Sequence, residues 1–151
     1  MQKNISSLVL FLIIIVGVGV DALTKILAQI YLAENTLTLI PGFLSLEYVR
    51  NPGIAFSLPL TGVFLKIITV ILIFMIIVYY IREERPKKNT LLDIGFAMIL
   101  SGALGNAWER IFISSVTDMI AVERFAVFNI ADSLIFLGVS VILASYYFSK
   151  K

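Results

Sequence analysis

The chain contains no cysteine and no histidine. Thiol nucleophiles, imidazole general bases, His or Cys metal sites and structural disulfides are therefore excluded. Any chemistry must come from Asp, Glu, Lys, Arg, Ser, Thr, Tyr or the backbone, and neither a cofactor nor a metal is expected. Charge is also scarce. Of 151 residues, 15% are charged and 60% hydrophobic, a balance well outside that of an ordinary soluble domain. The net charge of +2 is carried by no basic stripe, so no nucleic-acid partner is expected. A spanning helix needs roughly 20 mainly apolar residues, so the chain has room for about four spans and little else. The expectation is one membrane domain over residues 1–151, in contact with membrane lipids and monomeric.

What is present are long apolar runs, over residues 7–26, 62–81, 91–108 and 131–148. The first follows Lys3 and resembles a secretory signal peptide, but it lacks a small-residue cleavage site and three more runs follow. It reads as a retained first span. Arg82, Arg85, Lys87 and Lys88 lie between the second and third runs, and Lys3, Lys150 and Lys151 flank the ends. By the positive-inside rule these mark the cytoplasmic side. Both termini are then inside, and outer segments cover about 28–61 and 109–130. Arg50, Arg110 and Arg124 fall in those outer segments, so the bias is imperfect.

In the first outer segment polar and apolar residues alternate before and after Pro41-Gly42, which predicts a short antiparallel hairpin at the membrane surface. Asn51-Pro52-Gly53 follows, with an Asn suited to an N-cap and a Pro suited to the first helical position. A short helix or turn leading to the second span is expected there, and residues 51–60 are expected to move relative to the spans.

Ionisable residues within or at the edges of spans are costly, and each invites a functional hypothesis. Asp93 lies at the start of the third run, where an acid favours a helix N-terminus, and Lys66 can snorkel. Asp21 and Lys25 lie four apart on one face, as a pair that lowers its own cost or as groups that orient neighbours; both readings stand. The stretch 101–110 carries small residues at 101, 102, 103 and 105, which permit close helix approach in lipid. It also carries Asn106 and Arg110 on one face, and Glu109. Asp118 and Asp132 fall at the outer surface, with Asn129 placed to cap the fourth helix and Asp132 in its first turn. Two carboxylates at one depth beside an Asn and an Arg suit an aspartyl dyad, in which one activates water and its protonated partner donates to the substrate carbonyl.

Five segments taken together resemble the lipoprotein signal peptidase (signal peptidase II) family. They are Asp21-Ala22-Leu23-Thr24-Lys25; Asn51-Pro52-Gly53-Ile54-Ala55-Phe56-Ser57; Gly102-Ala103-Leu104-Gly105-Asn106 with Arg110; Val116-Thr117-Asp118; and Phe128-Asn129-Ile130-Ala131-Asp132-Ser133. The resemblance implies four transmembrane helices with a small extracytoplasmic β cradle and a short periplasmic helix. It also implies cleavage of prolipoproteins before the lipid-modified cysteine, at the outer face of the bacterial cytoplasmic (inner) membrane. The implied dyad is Asp118 and Asp132, with Asp21, Lys25, Asn51, Gly53, Gly102, Asn106, Arg110, Asn129 and Ala131 around it. The chain departs from the family pattern at Glu109, where Asp is usual, and in the short stretch from Asp118 to Asp132.

Three rivals are consistent with the residue inventory, of which a purely structural four-helix membrane protein leaves the outer-face polar cluster unexplained. A Ser–Lys peptidase would draw on Ser57, Ser101, Ser114 or Ser115 with Lys25 or Lys66, but no serine has a motif-like setting. A proton relay through Asp21, Asp118 and Asp132 would spread acids through the membrane depth, whereas these cluster at one face. Within the dyad, Asp132 has the helix dipole beside it and is expected to be the anion and base, with the shared proton mostly on Asp118. That order reverses if Arg110 folds back onto Asp118.

Overall fold

The computed structural model describes residues 3–53 and 62–149. Four of its helices are long and apolar enough to cross a membrane. Helix α1 (Ser7–Tyr31) is capped by the Ser6 side chain, which accepts from Val9 N–H, and it continues well beyond the expected end near residue 26. Its last turns bury Asp21, Lys25 and Ala28, so packing rather than lipid contact keeps the segment helical. Helix α2 (Gly62–Tyr79) continues through one π-helical turn (Tyr80–Glu84) and a 3-10 turn (Arg85–Lys87). Helix α3 (Thr90–Phe112) is capped by Asn89 and extends past the expected limit at residue 108. Glu109 and Arg110 therefore belong to its final turn. Helix α4 is Ile130–Ser149.

Four strands form one antiparallel sheet in the order β1-β2-β3-β4. Strands β1 (Leu37–Ile40) and β2 (Leu44–Asn51) form the expected hairpin, turning at Gly42 with φ +69°. Strands β3 (Val116–Val122) and β4 (Ala126–Phe128) lie within the expected outer segment 109–130, for which no strand is expected from sequence. Val116, Thr117, Asp118 and Met119 are all buried, so the strand lacks the alternation that exposes a half-buried strand in sequence. Asp118 accordingly sits on a paired strand. The β2–β3 register places Val49 opposite Asp118 and Asn51 opposite Val116.

Helix α3 is central and packs on α1, α2 and α4. Its approach to α4 depends on absent side chains: a Cβ on Gly102 would lie 2.1 Å from the Ala131 carbonyl oxygen, and one on Gly95 would lie 2.9 Å from that of Gly138. Ser101, Gly102 and Gly105 are buried, as expected of a small-residue contact in lipid. Polar clusters occupy both ends of the bundle. At one end, buried Glu84 accepts from Tyr79 and Tyr146 hydroxyls and from Lys87, while Asp93 accepts from the Tyr80 hydroxyl and Ile5 N–H. Asp93 is thus a buried acceptor as well as a first-turn acid. The other end carries the sheet. The expected short helix after Asn51, the motion of residues 51–60 and Ser57 fall wholly or largely outside the described residues.

Candidate functional site

At the sheet end, the C-terminal turns of α1 and α3 meet β3 and the first turn of α4. Asn129 and Asp132 cap α4 reciprocally: Asn129 Oδ1 accepts from Asp132 N–H at 2.9 Å, and Asp132 Oδ2 accepts from Asn129 N–H at 3.3 Å. This cap, foreseen from the three-residue spacing, orients Asp132. Its Oδ1 accepts from Asn106 Nδ2 at 2.8 Å. Asp132 stays half-buried, whereas Asp118 is buried at 3% exposure.

Asp118 Oδ1 accepts from Asn129 Nδ2 at 2.8 Å and Oδ2 from Asn51 Nδ2 at 3.0 Å. Each carboxyl oxygen keeps one further lone-pair direction. Asn51 is held by Gly53, whose N–H donates to Asn51 Oδ1 at 3.0 Å, while its Nδ2 reaches across the sheet to Asp118; the helix it was expected to cap lies outside the described residues. Asn129 thus touches both carboxyl groups, through its amide and its backbone N–H. Burial pushes the Asp118 carboxyl above its ordinary value, and the nearby Asp132 charge adds to this against the lowering hydrogen bonds of Asn51 and Asn129 and the charge of Lys25.

Behind this pair lies an ionic cluster. Lys25 Nζ meets Asp21 Oδ2 at 2.7 Å, Asn106 Oδ1 at 2.9 Å and Glu109 Oε2 at 3.1 Å, using all three ammonium donors. Asp21 Oδ1 accepts from Ala131 N–H at 2.9 Å, so α1 supplies an acceptor to one of the free N–H groups opening α4. Gly105 leaves room for Asp21, since a Cβ there would lie 2.6 Å from Asp21 Oδ2. Asp21 and Lys25 are therefore an ion pair and also orient their neighbours. Glu109 accepts from Thr117 N–H at 2.9 Å, Thr117 Oγ1–H at 2.7 Å and Arg50 at 3.1 Å in addition to Lys25.

The structure brings together Asp21, Lys25, Asn51, Gly53, Gly102, Asn106, Asp118, Asn129, Ala131 and Asp132. Among the described residues Arg110 makes no hydrogen bond or ion pair with this network. Its Nε is buried and has no hydrogen-bond partner among the described residues, where Asp118 is bonded by Asn51 and Asn129. Glu109, Thr117 and Arg50 were not among the expected site residues. The signals available for them were an acid within a spanning helix, a cation in an outer segment and, for Thr117, its place in the Val116-Thr117-Asp118 segment. Of the groups named for a Ser–Lys pair, Ser101 Oγ donates to backbone carbonyls and Lys66 donates to Ile111 O at 2.7 Å, at the end of α3.

Chemically, two carboxyl groups of unequal burial joined through one asparagine form a site that can hold a proton on one member and take a proton with the other. The sequence profile of the signal peptidase (SPase) II family matches residues 13–148. A lipoprotein signal peptidase of Enterococcus faecalis is 38% identical over 149 residues, covering 95% of this chain and 90% of the relative. One of Clostridium novyi is 35% identical over 141 residues, with 89% and 94% covered. A solved structure described as a bacterial membrane enzyme superposes with a TM-score of 0.83 at 29% identity, covering 100% of this chain and 94% of that one.

Proposed function

The chain belongs to the signal peptidase II family, whose activity is removal of signal peptides from prolipoproteins, and from that premise we propose that it is an intramembrane aspartyl endopeptidase with Asp118 and Asp132 as its dyad. The observation that carries this reading is the pair of carboxyl groups held on β3 and the first turn of α4 and joined through Asn129. In the resting enzyme Asp118 holds the shared proton, in keeping with its burial, and Asp132 is the base. Asp132 takes a proton from water as the oxygen attacks the scissile carbonyl carbon, and Asp118 gives its proton to the carbonyl oxygen. When the C–N bond breaks, the leaving nitrogen takes the proton from Asp132, and the hydroxyl proton of the tetrahedral intermediate returns to Asp118. Water is added across the peptide bond and the dyad is restored.

Cleavage falls before the diacylglyceryl-modified cysteine. An apolar groove of about 440 Å³ between α1 and α4, lined by Leu12, Val16, Val20, Ile130 and Leu134 among others, supports this reading, because it reaches the first turn of α4 and suits acyl chains. Lipid buried there contributes about 0.8 kcal/mol per methylene to holding the scissile bond at the depth of the dyad. The protein lies as a single monomeric domain in the bacterial cytoplasmic (inner) membrane with both termini cytoplasmic. The sheet is a cradle at the outer face, and lipid-modified prolipoprotein and membrane lipids are its partners.

Purified enzyme in proteoliposomes, given a diacylglyceryl-modified prolipoprotein, should release the shortened product, and Asp118→Asn and Asp132→Asn should each abolish release while inserting normally. Near-normal turnover by either variant would remove that residue from the dyad. Ion flux without cleavage would favour a relay instead.

A further inference from the structure

Strand β3 presents successive residues to different partners: Asp118 meets Asn51 and Asn129, and Thr117 meets Glu109 and Arg50. We propose that Glu109 is a positioning residue for the reaction: it anchors β3 through Thr117 and so sets where Asp118 stands relative to Asp132. This rests on the dyad reading above.

Glu109 is buried, yet its carboxylate takes four donors from three elements: Lys25 of α1, Arg50 of β2, and both the N–H and the hydroxyl of Thr117 of β3. It belongs to α3, the same helix whose Asn106 bonds Asp132, with both residues in contact with Lys25. Asp118 and Asp132 are therefore referenced to one rigid element, Asp132 through Asn106 and Asp118 through Glu109 and Thr117. A single sequence step separates the anchored Thr117 from Asp118, so a shift of the anchor passes directly to the carboxyl group.

Charge gives Glu109 a second consequence. Asp21, Lys25, Arg50 and Glu109 form a neutral quartet beside the dyad. Replacing Glu109 by Gln turns an N–H₂ toward one of its donors and leaves the quartet with net positive charge. Asp118 is flanked by Lys25, Asp132, Asn51 and Asn129, and excess positive charge there favours loss of its proton.

The test compares Glu109→Gln, Thr117→Val and Thr117→Ser in proteoliposomes with lipidated prolipoprotein, alongside Asp118→Asn. For Glu109→Gln we expect kcat to fall roughly 10- to 100-fold, the scale of a misplaced catalytic group, with KM within about twofold. The active limb of its pH profile should move to lower pH. Thr117→Val should lose kcat while Thr117→Ser, which keeps the hydroxyl, should restore most of it. If folded Glu109→Gln enzyme keeps wild-type kcat and pH profile while Asp118→Asn is inactive, the positioning role is overturned and the dyad stands. If KM alone rises, Glu109 acts in binding and the proposal is overturned too. An active Asp118→Asn enzyme overturns the dyad reading itself.

Discussion

Gly102→Ala adds one methyl group at the closest approach of α3 to α4. That carbon would lie 2.1 Å from the Ala131 carbonyl oxygen, where an ordinary C···O contact is about 3.3 Å, so the helices must part locally by about 1.2 Å. The obstacle is backbone and cannot rotate aside, and Ile135 Cγ1 at 2.8 Å closes the other direction. Whole-helix separation is opposed by the second contact, at Gly95 and Gly138, so most of the shift falls on the first turn of α4. That turn carries Asp132. Overpacking of this kind costs roughly 1–3 kcal/mol, and an ångström of misplacement costs a reaction on the order of 100-fold. The variant should therefore fold with a lowered midpoint and cleave about 100-fold more slowly. Cleavage is read from the mobility shift of lipidated prolipoprotein, and folded protein from the fluorescence of Trp108, the single tryptophan of the chain. Gly19→Ala is the control, since a Cβ there meets nothing within 4 Å; it should be neutral or slightly stabilising. Wild-type turnover by Gly102→Ala would refute the claim that this contact sets the position of Asp132.

Other expectations follow from separate features. Because burial raises the Asp118 pKa above its ordinary 3.8, its contribution to stability is complete below that value and is lost as pH rises through the elevated pKa. The midpoint of Asp118→Asn minus that of wild type should thus grow from pH 4 to pH 8; a difference that shrinks over this range contradicts the assignment. Glu84→Ala, at the opposite end, removes the acceptor shared by Tyr79, Tyr146 and Lys87 and should cost roughly 1–3 kcal/mol with kcat of the folded enzyme unchanged. Loss of kcat at full folding would show coupling between the two ends. Unlipidated prolipoprotein should be cut far more slowly than the lipidated form, as side-by-side time courses would reveal; equal rates would exclude lipid anchoring of the scissile bond. EDTA should leave turnover intact, and inhibition reversed by added metal would overturn an aspartyl mechanism.

Local spacing alone determined several parts of this protein. Four apolar stretches of spanning length became four helices, because lipid requires the backbone to satisfy its own hydrogen bonds. The alternation around Pro41-Gly42 became the β1–β2 hairpin, the four-residue step from Asp21 to Lys25 became an ion pair, and the three-residue step from Asn129 to Asp132 became a reciprocal cap. Each is an interaction within one turn or one hairpin, where covalent geometry settles which side chains meet. Tertiary structure alone decided that residues 116–122 pair as a strand, because their burial comes from β2 and the helices and leaves no periodic trace. It also decided that Asn51 reaches Asp118 across 67 residues, that α1 supplies an acceptor to the start of α4, and that Glu109 gathers donors from three elements. Those contacts join elements distant in sequence, and their partners are set by helix approach distances and strand register, which no single stretch of the chain encodes.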